Sequence, residues 1–244
     1  MSLTTMMTTL LMFATSAGTQ NMAIPAYFYP GSYWTQMDQS SSRPEIAVMN
    51  PNSGPGYSPD PSYVSAIRAA QAAGITVVGY VDTNYGSRSL SAVESDVTSY
   101  YNWYGVDGVF FDQASTDCSY SSYYAALNSF VKAKSDTART ILNPGTQTSQ
   151  CYVADADILL TFEGSYRSYV NSYSAPSWIT QYSATHFWHI VYATARNAAM
   201  TRAVTMSKKR GAGYVYVTPD MLPNPYDTLP TGSYWSRELS TIGS

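Results

Sequence analysis

Gly105-Val-Asp-Gly-Val-Phe-Phe-Asp-Gln113 contains an apolar run that ends in a carboxylate, Asp112. A short apolar run of this kind, bounded by turn residues, reads as a buried strand. A carboxylate at the C-terminal end of such a strand is how an α/β barrel presents a catalytic acid. Further along, Ile158-Leu-Leu-Thr-Phe162 is a second run of the same type and leads into Glu163. Two carboxylates at two strand ends suit glycoside hydrolysis, in which one carboxyl protonates the leaving oxygen while the other attacks or activates water.

Working outward from these two runs, β-rich segments recur at Ala23 to Tyr29, Ile46 to Asn50, Ile75 to Asp82, Thr140 to Asn143, Phe187 to Tyr192 and Tyr214 to Thr218. With Gly108 to Asp112 and Asp157 to Glu163 they make about eight, the number a (β/α)₈ barrel requires. Helical spacing predicts helices over Pro61 to Ala73, Leu90 to Trp103, Tyr123 to Ala133 and Ala198 to Lys209. Gly74 and Gly105 stand where C-terminal glycines would stop the first two, and Ser91 through Glu94 offers a capping box for the second. The link from Asn143 to Asp157 is too short and irregular for a full helix.

Side chains alternate faces along a strand. Gly108, Phe110 and Asp112 therefore share a face, as do Tyr80 with Asp82, Ile141 with Asn143, and Leu159 and Thr161 with Glu163. In phase, Asp82, Asp112, Asn143 and Glu163 would point toward the axis at the C-terminal mouth. Aspartate and asparagine also favour strand-to-loop transitions for turn reasons alone.

The 244 residues fit a single domain, assigned to 23–244 and expected to act as a monomer. Residues 1–20 read as a signal peptide or disordered leader, with Leu10 to Ala14 as a short apolar core before small residues. No stretch reaches the length of a membrane span. A net charge of −3 offers no basic surface for nucleic acid. Twenty-three tyrosines supply apolar rings with polar tips, which suit sugars, although a tyrosine-rich exported surface would look the same. Cys118 and Cys151 each lie just beyond an apolar run at the same barrel end, so a disulfide, and with it a secreted, extracellular or cell-wall location, is expected; two free thiols are the alternative. His186 and His189 lie three apart in a strand and face opposite sides, a poor metal pair. His189 reads equally as a substrate hydrogen-bond donor or a satisfied core residue. No Walker loop, GxGxxG, GxSxG or HExxH occurs.

The motifs Pro25-Ala-Tyr-Phe-Tyr-Pro-Gly31, Val48-Met-Asn-Pro-Asn-Ser-Gly-Pro-Gly56, Gly74-Ile-Thr-Val-Val-Gly-Tyr-Val81, Trp103-Tyr-Gly-Val-Asp-Gly-Val-Phe-Phe-Asp112, Leu160-Thr-Phe-Glu-Gly164 and Tyr214-Val-Tyr-Val-Thr-Pro-Asp220, in this order, resemble the spherulin-4 family. Its characterised relatives include fungal endo-acting α-1,4-galactosaminidases. The resemblance implies a (β/α)₈ hydrolase of a partly deacetylated α-1,4-linked N-acetylgalactosamine polymer, with Asp112 and Glu163 matching the carboxylates after the fourth and sixth strands. The leading expectation is a secreted, endo-acting and retaining enzyme with Asp112 as nucleophile and Glu163 as acid/base; a carboxyl separation of about 6.5 to 9.5 Å would mean inversion instead. Family members with demonstrated activity tend to carry an acidic pair after Phe-Phe, whereas here Gln113 follows Asp112. Glutamine keeps the shape and hydrogen bonding but cannot ionise.

For Glu163, flanked by Phe162 and Gly164, an apolar setting that keeps the acid protonated is expected. Tyr27, Tyr29, Asn50, Asp82, Gln113, Asn143, Tyr166, His189 and Asp220 are the candidate cleft residues, with Asp82 or Asp220 available to pair with the ammonium of a deacetylated sugar. Two carboxylates suffice for this chemistry, so no metal or organic cofactor is expected. Two rival readings remain: a barrel that binds carbohydrate without cutting it, and a structural protein of a spore or cyst wall.

Overall fold

The computed structural model describes residues 19–244. Eight strands, β1 (Asn21–Ala26), β2 (Ile46–Met49), β3 (Thr76–Asp82), β4 (Gly108–Asp112), β5 (Arg139–Leu142), β6 (Ile158–Ser165), β7 (Phe187–Tyr192) and β8 (Tyr214–Val217), pair in sequence order. All are parallel, and β8 closes onto β1. The chain is therefore the (β/α)₈ barrel expected from the strand count.

Seven helices cover the outside: α1 (Ser32–Gln39), α2 (Pro61–Ala72), α3 (Leu90–Tyr104), α4 (Ser121–Lys132), α5 (Tyr166–Asn171), α6 (Asn197–Lys209) and α7 (Gly232–Ile242). Helix α2 starts where Asp60 accepts the Ser62 N–H at 2.8 Å and Pro61 occupies the first turn. The cap of α3 is Ser89, not the Ser91 of the expected capping box, and the helix ends at Gly105 in the left-handed region. Between β5 and β6 the chain makes only a short 3₁₀ turn, Gln150–Ala154, in place of a full helix. Helices α1, α5 and α7 come in addition to the four expected. In α7 the buried stripe carries an acid: Glu238 is fully buried among Trp235, Leu239 and Ile242, and its Oε1 accepts the Val217 N–H at 2.7 Å. Burial drives its pKa far up, so it sits in the wall as a neutral acid.

Register fixes which side chains fill the barrel. Val78, Phe110, Ile141, Leu160 and Trp188 face inward and are fully buried. The Phe110 and Trp188 rings meet edge to face at 5.8 Å across the axis. Outward residues pack on the helices. Gly79 is one of them, and a Cβ there would lie 2.5 Å from the Tyr100 ring of α3, so only glycine admits that helix at this distance.

The two loops beyond β4 and β5 are tied together. Cys118 and Cys151 form the expected disulfide, with Cα atoms 5.9 Å apart. Ser149 Oγ adds a bond to Thr116 O at 2.7 Å, and the Tyr152 hydroxyl donates to Asp117 O. With the cysteines 33 positions apart in the sequence, replacing both by serine is expected to lower the unfolding free energy by about 3 to 4 kcal/mol. Urea denaturation of the variant beside the oxidised parent measures it.

The leader assigned to residues 1–20 lies outside the described residues except for Thr19 and Gln20. Gln20 belongs to the fold: it is buried, and its Nε2 donates to Ser207 Oγ at 2.8 Å and Ala212 O at 2.7 Å. Strand β1 likewise begins before residue 23. Among the described residues no helix is long and apolar enough to cross a membrane.

Candidate active site

The strand ends converge at the C-terminal mouth. Asp112 closes β4, and its two oxygens accept from different partners: Oδ2 from the Tyr80 hydroxyl of β3 at 2.7 Å, Oδ1 from Asn143 Nδ2 at 2.8 Å. The same Nδ2 donates to Glu163 Oε2 at 2.7 Å, and Glu163 Oε1 accepts the Tyr226 hydroxyl at 2.6 Å. A continuous chain of donors and acceptors thus runs Tyr80, Asp112, Asn143, Glu163, Tyr226. Tyr27 at the end of β1 closes the ring, edge to face with Tyr80 and with Tyr226 at 5.6 Å each.

Asn143 can serve two carboxylates because its amide is fixed. Its Oδ1 accepts the Gly145 N–H at 2.8 Å, which aims the NH₂ group at the pair. Both carboxylate oxygens lie within hydrogen-bond reach of one nitrogen, so they cannot be further apart than those two bonds laid end to end.

The path of Glu163 into this ring is a finding that plain strand parity does not give. Parity grouped it with Leu159 and Thr161, yet Leu159 faces outward, paired with Phe187, whereas Leu160 pairs with inward Trp188. The next β6 residue in register is Phe162, opposite His189, so Thr161 is an extra residue with no partner on β7. This bulge resets the alternation and turns Glu163 inward, opposite Ile190.

Burial is the main force on Asp112, raising its pKa to about 6, and the Glu163 charge pushes the same way; the Tyr80 hydroxyl, the Gln113 backbone N–H and Asn143 act against them. Tyr226 is pushed well above its ordinary value, first by burial and then by Glu163. Tyr27 is raised for the same first reason, with the charges of Asp112 and Glu163 adding to it. Both phenols stay protonated, and that of Tyr226 donates to Glu163. The apolar setting expected around Glu163 is replaced by a polar one, with two donors on its carboxylate.

Of the cleft candidates, Tyr27 and Asn143 join the carboxylate pair. Gln113 joins through its backbone: it has φ 47, and its carbonyl accepts from Tyr85 N at 2.6 Å and Thr83 Oγ1 at 2.9 Å. Asp82 pairs in register with Asp112, but its carboxylate accepts the Asn84 N–H at 2.6 Å and makes a turn. Asn50 similarly accepts the Gly54 N–H at 3.1 Å. Tyr29 stands on the rim, 61% exposed, its hydroxyl on Asp60 at 3.0 Å. Tyr166 opens α5 just past Glu163 and is partly buried, and Asp220 accepts the Thr228 hydroxyl beyond β8.

His189 is the one candidate that the fold turns away from the mouth. It faces outward between the barrel and α5, fully buried, with Nδ1 2.8 Å from the Tyr169 hydroxyl and Nε2 3.0 Å from Thr161 Oγ1. Burial, reinforced by Arg210, lowers its pKa to about 3, so it is neutral.

Two site residues were missed. Tyr80 was legible in principle, since it shares the inward parity of Asp82. Tyr226 comes from the loop between β8 and α7, and no pattern in the sequence marks it. Among the described residues no three His, Cys, Asp or Glu side chains gather to hold a metal ion.

The chain matches the spherulation-specific family 4 over residues 21–242. It is 36% identical over 242 residues to spherulin-4 of Physarum polycephalum, covering 94% of this chain and 72% of that protein. Among solved structures, Sph3 of Aspergillus clavatus, determined in complex with GalNAc, superposes with a TM-score of 0.81 at 22% identity, over 93% of this chain and 99% of that one. An endo-β-N-acetylglucosaminidase from Cordyceps militaris superposes at 0.58 with 14% identity, over 97% of this chain and 98% of that one. These likenesses establish a barrel of the kind found among glycosidases.

Proposed function

We propose that this chain, which belongs to the spherulation-specific family 4, is a secreted glycoside hydrolase that cleaves an α-1,4-linked N-acetylgalactosamine and galactosamine polymer internally, with retention of configuration. The observation that carries the reading is the single amide of Asn143 reaching both carboxylates. One nitrogen reaches both only while their facing oxygens lie within two hydrogen bonds of each other, which favours the spacing of about 5 to 5.5 Å that suits a covalent intermediate over the roughly 6.5 to 9.5 Å that leaves room for a water. The GalNAc held by Sph3 supports the choice of sugar, and the disulfide supports an oxidising compartment.

In this reading Asp112 attacks the anomeric carbon. Three donors converge on its carboxylate, from Tyr80, Asn143 and the Gln113 backbone, fixing its direction and favouring its charged form. Glu163, oriented by Tyr226 and Asn143, protonates the leaving oxygen and then draws a proton from the incoming water. The Gln113 side chain is not called on to ionise, since that residue contributes through its backbone. Tyr27 presents a half-buried ring beside the pair, suited to the apolar face of the sugar.

Asp112 attacks as its carboxylate. With its pKa raised to about 6, that charge is present above this pH and lost below it. The expected profile of kcat/KM therefore falls about tenfold per pH unit below about 6; a profile flat from pH 4 to 7 counts against Asp112 as the nucleophile.

Product release from purified α-1,4-galactosamine and N-acetylgalactosamine polymer tests the function, with chitin as control and the first-formed anomer read by NMR. α-Configured oligosaccharides from the galactosamine polymer alone are expected. Tight pull-down of polymer without products would favour the binding protein. Neither binding nor products would favour the structural one.

A further inference from the structure

We propose that His189 is a positioning residue for the carboxylate pair, pinning through Thr161 the bulge in β6 that turns Glu163 into the mouth. The inference rests on the catalytic reading of Asp112 and Glu163 and adds to it a part that lies on the far side of the barrel wall.

Thr161 is the residue that β6 has in excess of β7. An inserted residue has no ladder partner to hold it, and a bulge persists when other contacts fix it. Here the contact is a side-chain bond: Thr161 Oγ1 lies 3.0 Å from His189 Nε2, and both groups are fully buried. His189 belongs to the neighbouring strand and stands opposite Phe162, so the bond crosses from β7 to the bulge itself.

The imidazole is in turn immobilised from α5 and beyond. The Tyr169 hydroxyl lies 2.8 Å from Nδ1 and the Tyr173 hydroxyl 3.2 Å from Nε2. Arg210 clamps both tyrosines: its guanidinium lies 4.4 and 5.1 Å from their ring centres and donates to their backbone carbonyls at 2.7 and 2.8 Å.

The other side of the bulge is closed by packing. Phe162 lies 4.7 Å from the Tyr173 ring, and its own ring covers Gly164, where a Cβ would stand 2.8 Å from Phe162 Cζ. Glu163 is thus held between two outward residues locked against one another and against the His189 cluster. Were Thr161 an ordinary ladder residue with no bulge, strict alternation would place Glu163 on the same outward face as Leu159. The buried histidine thereby acts on the chemistry through the shape of the strand.

The test pairs Thr161→Val, which removes the hydroxyl and keeps the shape, with Thr161→Ser, which keeps the hydroxyl, and adds His189→Phe. Circular dichroism and thermal melting establish that each variant is folded. In steady-state assays on the galactosamine polymer, Thr161→Val and His189→Phe are expected to lower kcat by about 10- to 100-fold with KM nearly unchanged, and Thr161→Ser to restore it. A second readout does not depend on turnover: ¹³C NMR titration of the Asp112 carboxyl. If Glu163 leaves its place, Asp112 loses a charged neighbour, and its titration falls from about 6 toward its ordinary 3.8 in Thr161→Val but not in Thr161→Ser.

Folded Thr161→Val with parental kcat and an unmoved Asp112 titration would overturn the proposal. A shifted titration in a protein that cuts no polymer would uphold the positioning role and remove the hydrolase.

Discussion

Glu163→Gln and Asp112→Asn are each expected to lower kcat on the galactosamine polymer by about 10⁴-fold while leaving the barrel intact. At about 1.4 kcal/mol per decade this is more than 5 kcal/mol of transition-state stabilisation, a size that a lost binding contact does not reach. Both substitutions keep the shape and the acceptor oxygen that Tyr80 or Tyr226 addresses and give up only the bond from Asn143, so most of the loss reports the charge and the proton. The stability effect has the opposite sign for Asp112. Its folded pKa stands above the ordinary 3.8, at about 6, so ionisation opposes folding; the cost grows as pH rises between these values and is complete above about 6. There it is on the order of 3 kcal/mol, which the neutral asparagine avoids. Asp112→Asn should therefore melt at or above the parent at pH 7 and match it more closely at pH 4. Turnover by folded Asp112→Asn within tenfold of the parent would refute the nucleophile. Addition of azide to Asp112→Gly separates the roles, since rescue as the inverted glycosyl azide marks Asp112 as the attacking group and not the acid.

The barrel was legible because its parallel strands are buried on both faces and read as short apolar runs separated by helical spacing. Asp112 and Asn143 were placed at the mouth by parity alone, since β4 and β5 pair without a break. Glu163 was placed there for an incorrect reason. Thr161 looks like any other strand residue, and the bulge it makes is decided by contacts with β7 and α5, which no local pattern contains. The same non-local cause hid Tyr226, delivered by a loop whose backbone meets Tyr27 N at 3.2 Å, almost two hundred residues earlier in the chain. His189 was ambiguous between substrate contact and core for want of strand phase. Once Trp188 is known to face Phe110 across the axis, its neighbour must face the helices. Helix α7 does carry a helical stripe in its sequence, Tyr234, Trp235, Leu239 and Ile242, and the acid within it, Glu238, is kept neutral by burial and accepts the Val217 N–H.

Asn143→Ala should be the next most damaging change, lowering kcat/KM by about 10²- to 10³-fold, the usual loss for one donor aimed at developing charge in a desolvated site. Asn143 is the only side chain that bonds to both carboxylates among the described residues, and its amide direction is set by the Gly145 N–H on its other atom. Removing it leaves two acidic groups facing each other with no donor between them. Because that donor favours the charged form of Asp112, its loss raises the Asp112 pKa further above about 6. The fall of activity at acidic pH, where Asp112 loses its charge, should then begin at higher pH in Asn143→Ala, even as the maximum rate drops. A variant that merely loosened the fold would lose rate without moving that limb, and a limb left at its parental position would show that Asn143 does not bridge the pair during turnover. Asn143→Asp gives a complementary reading. A third carboxyl has one O–H when protonated and no donor when ionised, so it cannot serve both carboxylates: Asn143→Asp should be no more active than Asn143→Ala at any pH, and a near-parental rate would mark Asn143 as a spacer. Together the two profiles distinguish a donor that stabilises charge from a spacer that only holds Asp112 and Glu163 apart.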